Sequence, residues 1–290
     1  MIISTANLAK IKKNCNFAAQ KTKYMKPTFF ILLLIVAFVA CQPSDEQSAA
    51  TLVAEAHSLV DNGQWRQARI VLDSVHVKYP KQVAQRRLAK ALEDSITFLE
   101  AQSTLAYVDT LLPPLLEQAD QLIKQFKYEK KEQYEDYGKY VHNLLVTNTN
   151  TSRNFIQAYV LDNRTTTVKS YYYGNVQVNQ RAIALSASGE ERTFVGRNYH
   201  FQDGAHHEIM TFDEENALAL LNFISTYQND KIRVEGKGGK TIQNWVYYLT
   251  NQEKKALSDT YQLGWLMKDI NRLEQMQKTA SAQINRYNQK

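Results

Sequence analysis

The C-terminal forty residues constrain this chain most. Leu263, Leu266, Ile270, Leu273, Ala280, Ile284 and Tyr287 recur at alternating three- and four-residue steps, with Gln277 alone breaking the series. That is a heptad seam, and a seam needs another helix to pack against. A second run begins at Lys81, where Leu88, Leu92, Ile96, Leu99, Ala106 and Leu111 recur at helical spacing between charged residues. The chain between the two runs must fold back, so residues 250–290 are expected to lie antiparallel on the helix of 81–112. Pairing within one chain closes a loop once and loses no translational entropy, which favours it over homodimerisation.

Pro113-Pro114 is expected to interrupt the first of these helices, since neither proline donates to the helical ladder and the first also restricts Leu112. Helix should then resume through Leu115, Leu116, Ile123 and Phe126, so residues 49–137 read as a helical hairpin followed by a long helix.

Residues 138–249 change character. Strand-like runs cover 140–146, 155–161, 165–173, 176–185, 193–199 and 207–212, punctuated by Asp162-Asn163, Gly174-Asn175, Ser188-Gly189-Glu190 and Asp203-Gly204. An antiparallel meander is the simplest arrangement. Asp213 reads as the N-cap of a helix through Tyr227, followed by strands at 232–234 and 242–249. The fold class is therefore α+β: an N-terminal hairpin, a long antiparallel helix pair, and an antiparallel β-domain inserted between its two helices.

Leu52, Ala56, Leu59, Gly63, Ala68, Leu72, Val75 and Pro80, with Trp65 after the turn, resemble one tetratricopeptide repeat in register. The glycine expected one period later is Thr97, so no array follows; a solenoid needs about three units. The hairpin of 49–80 is read as a cap on the longer helix.

The N-terminal region carries a different signal. Lys21, Lys23 and Lys26 precede an apolar run from Phe29 to Ala40, 12 residues long. A spanning helix needs roughly 20, so this is a signal core rather than a membrane span. Ala40-Cys41 closes it, and Lys26 to Cys41 resembles a Gram-negative lipoprotein signal, with Phe38 in place of the usual leucine. The resemblance implies cleavage before Cys41 and lipidation of its thiol. Residues 1–24 read as an upstream extension, 25–40 as the signal peptide and 41–48 as a tether. Asp45-Glu46 weakly resembles a surface-export signal.

Removing the six lysines of residues 1–40 from 35 basic residues leaves 29, equal to the 29 acidic ones. A mature chain of zero formal charge carries no electrostatic footprint for nucleic acid. Cys15 and Cys41 are the only cysteines, so residues 42–290 hold none for a disulfide or thiolate site.

Three features invite a chemical reading. Gly236-Lys-Gly-Gly-Lys-Thr241 sounds like a phosphate loop, but Val234 stands where the first Walker glycine belongs, and the segment joins strand to strand instead of feeding a helix. His200, Asp203, His206, His207 and Glu208 are the one dense set of metal-ligand types. They lack a metal-site spacing and read by default as exposed sheet residues, with His200, His206 and Glu208 the weak metal candidates. Tyr171, Tyr173, Tyr199, Trp245 and Tyr247 lie on expected strands, where alternate members would reach a solvated face and could stack on sugar rings or a partner protein. No Gly-x-Ser-x-Gly elbow occurs and no histidine has an evident nucleophile partner, so the reading is non-enzymatic, with no cofactor.

Taken together, the lipobox, the Leu72-Asp-Ser-Val75 helix with its Tyr79-Pro80, the long helix and the β-rich domain resemble uncharacterised Bacteroides-type lipoproteins. The resemblance implies an envelope protein held to a membrane by an N-terminal lipid, at the outer membrane rather than the inner, and no activity. Two roles follow as expectations. One is a scaffolding or protein-interaction lipoprotein; the other binds a glycan or another ligand through its β-domain aromatics.

Overall fold

The computed structural model describes residues 44–131, 136–145, 152–239 and 244–289. The upstream extension, the signal peptide and Cys41 lie outside them. The chain forms two units, residues 1–92 and 93–290, described separately below.

In the first unit, helix α1 (Asp45–Asp61) and helix α2 (Trp65–Lys78) form a hairpin. Ser44 caps α1 in a capping box with Gln47, so the expected tether is helical from Asp45 onward. Gly63 makes the turn at φ +72°, a conformation open to glycine at little cost. Ala49, Ala56, Ala68, Leu72 and Val75 are fully buried, and the alanines let the two helices approach closely.

Helix α3 runs unbroken from Val83 to Ile123 with both prolines inside it, against the expected interruption. Each proline removes one ladder bond, an effect of about 3 kcal/mol. Packing offsets it: Val108 and Leu112 before the prolines and Ala119 after them are buried against Ile270 and Leu273. Helix then ends, and Phe126 belongs to strand β1 (Phe126–Glu129), not to a resumed helix.

The second unit contains two antiparallel sheets. Its strands are β2 (Lys139–His142), β3 (Phe155–Leu161), β4 (Thr166–Gly174), β5 (Ala182–Ala187), β6 (Glu190–Val195), β7 (Arg197–Asp203) and β8 (Ala205–Thr211). Helix α4 (Glu214–Thr226) follows, then β9 (Arg233–Lys237) and β10 (Trp245–Tyr248). The six-stranded sheet has the order β1-β2-β3-β4-β8-β7 and the four-stranded sheet the order β10-β9-β5-β6. This replaces the single meander.

Two local causes explain the difference. Residues 176–181, expected to begin a strand, wrap around a buried carboxylate: Glu208 accepts the backbone N–H groups of Val178, Asn179 and Gln180 at 2.6–2.7 Å. The run 193–199 is split at Gly196, where the chain passes from the four-stranded to the six-stranded sheet. A Cβ there would stand 2.6 Å from Met210 Cγ and 2.8 Å from the Thr211 carbonyl, so only glycine turns this corner.

Helix α5 (Asn251–Asn288) is capped by Thr250 in a capping box with Glu253. Its first turns, through Ala256 and Leu257, enter the main core with Ile156, Ile183, Met210, Leu221 and Val234. Further along, Ile270 and Leu273 meet α3, Gln277 donates to Asp109, and Tyr287 stacks on Phe98 at 4.6 Å. The helices are antiparallel. On α3 the buried positions are Ala89, Ile96, Ala101, Val108, Leu112 and Ala119, while Leu88 and Ala106 are exposed. Arg164, at the β3–β4 turn, clamps α5 through two parallel hydrogen bonds to Glu274.

Candidate functional site

Strand alternation gives each sheet one inner and one outer face. The inner faces share the core, and their outer faces differ in chemistry.

On the four-stranded sheet the outer face is a neutralised charge ladder. Glu235, 8 % exposed, is held by Arg233, by Lys237 at 3.0 Å and by Asn244 at 2.7 Å, and Lys237 reaches Glu191 at 3.8 Å. Burial works against the Glu235 anion, yet these donors hold its pKa at about 2. The four charges pair among themselves, while Val246 and Tyr248, in register with Glu235 and Arg233, are exposed on the same face, with Lys231 lying over the Tyr248 ring at 4.0 Å.

The outer face of the six-stranded sheet is aromatic. Strand register aligns Phe155, Tyr171, Ile209 and Tyr199 in one row across β3, β4, β8 and β7. Phe155 and Tyr171 stack at 4.3 Å with a 6° tilt. The next row aligns Tyr173, His207 and Phe201. There the His207 ring stacks on Phe201 at 4.5 Å and meets Tyr173 edge-on at 5.1 Å. Tyr199 is 64 % exposed, and Tyr171, Tyr173 and Phe201 are part-exposed. Burial pushes the Tyr171 phenol up, so the ring presents a neutral hydroxyl, hydrogen-bonded to Gln157. Ring–ring contacts fix the side chains in place before any ligand arrives, which reduces the ordering cost of binding.

A third row aligns Lys169, Thr211 and Arg197. No ion pair of Lys169 or Arg197 occurs among the described residues. Arg197 also lines a cleft of about 460 Å³ with Val195, Gly196, Thr211, Phe212 and Asp213. The Asp213 carboxylate there is taken by the backbone and side-chain N–H groups of Asn216, in its capping role.

The structure thus unites Tyr171, Tyr173 and Tyr199 but separates Trp245 and Tyr247 from them. These last two belong to the other sheet and point inward: Trp245 is 8 % exposed and stacks between Tyr172 and Tyr247. Burial, with the Glu253 carboxylate adding to it, pushes the Tyr247 phenol far up. Neither can serve as a stacking surface. Sequence reasoning missed Phe201, Lys169 and Arg197, for which the repeated steps Lys169-Ser-Tyr171 and Arg197-Asn-Tyr199 were the available signal. It read His207 as an exposed sheet residue, where the ring is 8 % exposed between Phe201 and Tyr173.

The metal candidates do not assemble either. Glu208 is fully buried instead of exposed, and its oxygens are consumed by three backbone N–H groups and Asn198 Nδ2. His200 Nε2 and His206 Nδ1 lie 3.0 Å apart and satisfy each other. Among the described residues no group of three or more metal-ligating side chains exists. Of the glycine-rich segment, Gly236 lies inside β9, Gly238 and Gly239 follow it, and Lys240 and Thr241 fall outside the described residues.

No family model, curated protein or solved structure matches this chain.

Proposed function

We propose that this chain is a non-enzymatic envelope lipoprotein, anchored through lipid on Cys41, whose helices carry a β-domain that binds ligands on the outer aromatic face of its six-stranded sheet. The α1–α2 hairpin is read as a single tetratricopeptide-like unit, and the antiparallel α3–α5 pair as the mount of the β-domain. One observation carries the binding role. Of two outer faces built on the same core, one centres on a ladder of paired charges flanked by Val246 and Tyr248, and the other is a preorganised row of rings beside two cations, Lys169 and Arg197, that have no ion pair among the described residues.

The experiment places a photo-crosslinking residue at Tyr199, on the aromatic face, or at Thr193, exposed on the charge-ladder face, of the full chain in intact cells. Adducts at Tyr199 and none at Thr193 support the binding reading. Equal labelling, or labelling of Thr193 alone, overturns it and leaves the scaffolding role.

A further inference from the structure

We infer that the ligand of the aromatic face is an acidic oligosaccharide, a chain of sugar rings bearing repeated carboxylates. The inference rests on the binding role assigned above to that face.

Lys169 and Tyr171 stand two residues apart on β4, and Arg197 and Tyr199 two apart on β7, so each pair projects from the same side of its strand. The two pairs are in register through β8, with Thr211 between the cations and Ile209 between the tyrosines. Each half-site offers one ring face and one positive charge. They lie two strand spacings apart, roughly 10 Å. A single sugar or a single anion fills one half-site only; a chain repeating both a ring and a negative charge fills both.

Charge sets the sign of the ligand. On β7 the nearest outward acid is Asp203, six residues from Arg197 and hence roughly 20 Å along the strand. Among the described residues no acid stands on the outer side of β3, β4 or β8 around Lys169, and the anion beside Arg197 is Asp213, whose oxygens are already hydrogen-bonded to Asn216. Thr211, midway, adds a hydroxyl that can donate to either carboxylate or sugar oxygen. The chain's formal charge past residue 40 is zero, so the field is local, as suits a short acidic glycan and not the long phosphate track of a nucleic acid.

The test titrates the full chain in detergent micelles with hexagalacturonate, with neutral maltohexaose and with a single-stranded thymidine dodecamer, by calorimetry at low and at physiological salt. Hexagalacturonate is expected to bind at least tenfold more tightly than maltohexaose and to weaken with salt. The exposed double variant Lys169→Gln/Arg197→Gln should lose that preference, and Tyr199→Ala should weaken both sugars; thermal unfolding of each variant confirms that the fold is retained. If the two sugars bind equally and the double variant changes neither, the acidic specificity is wrong while the aromatic face stands. If only the dodecamer binds, the glycan assignment is overturned. If no probe binds and Tyr199 crosslinks nothing in cells, the binding role fails with it.

Discussion

His142 donates from Nε2 to Oδ2 of Asp259 across 3.0 Å, joining strand β2 to helix α5 in a site closed to solvent. Its Nδ1 accepts the backbone N–H of Leu144 at 3.2 Å, so the ring is neutral with its proton on Nε2. Burial lowers the His142 pKa below 6.5; Asp259 opposes that and Lys255, 2.7 Å from the same carboxylate oxygen, adds to it.

The unfolded chain therefore binds a proton that the folded chain resists. This stability is complete above pH 6.5 and falls as pH drops below it, until the folded pKa is passed, with a slope of at most about 1.4 kcal/mol per pH unit. Denaturant unfolding at pH 7.5 and 5.5 should show the loss in the wild-type chain and a shallower one in His142→Gln. An identical slope in the variant would remove His142 as its source.

A second acid-sensitive point is Glu235. With its pKa held at about 2 against an ordinary 4.5, its contribution is present above pH 4.5 and is lost as pH falls toward 2. Glu235→Gln should lower stability at pH 7 and flatten the profile between pH 4.5 and 2. The check is the difference between the two proteins' unfolding midpoints across that range; a constant difference contradicts the assignment.

The α+β class was legible because two periodicities are strong in the sequence, the heptad seam from Leu263 and the alternation within 155–173. Asp213 was legible as a cap because a capping side chain acts over three residues. Non-local causes were not. Nothing near Pro113 reveals that Ile270 and Leu273 will hold the helix together across it, and nothing near Val178 reveals that Glu208, thirty residues on, will take its backbone N–H. The candidate site suffered the same way. Tyr171 and Trp245 look alike in sequence, and only the assignment of strands to sheets decides that one ring faces out and the other in.

Gly236 shows how close that inward packing is. A Cβ on it would sit 2.0 Å from Nε1 of Trp245, its cross-strand partner, so the indole lies flat on bare backbone. Gly236→Ala should force the ring out of its stack with Tyr172 and Tyr247, costing about 1–3 kcal/mol. Red-shifted tryptophan emission together with a lowered unfolding midpoint is the expected pair of signals. Unchanged emission would mean that the indole does not rest on Gly236.

In the proposed function the membrane is reached through lipid on Cys41; no helix among the described residues is long and apolar enough to cross one. Cys41→Ala should move the protein from the membrane fraction to the soluble fraction with its fold unchanged by circular dichroism. Recovery of the substituted, signal-cleaved chain in membranes would refute lipid anchoring at this residue.

The helix pair gives the most demanding test. Ile270 is 1 % exposed and packs with Leu273 against Val108, Leu112 and Ala119 on α3. Ile270→Asp removes that apolar contact and places a carboxylate where no partner waits, which should cost about 3–5 kcal/mol. Ile270→Val keeps the shape and should cost only about 0.5–1.5 kcal/mol. The comparison separates burial from mere substitution at the site. Unfolding should be followed by circular dichroism at 222 nm, with mass measured by light scattering in the same samples. If the helices pair within one chain, Ile270→Asp lowers the unfolding midpoint independently of protein concentration and leaves the mass unchanged. A variant that instead turns a dimer into an equally stable monomer would make α5 an oligomerisation element, with its seam filled by a second copy of the chain.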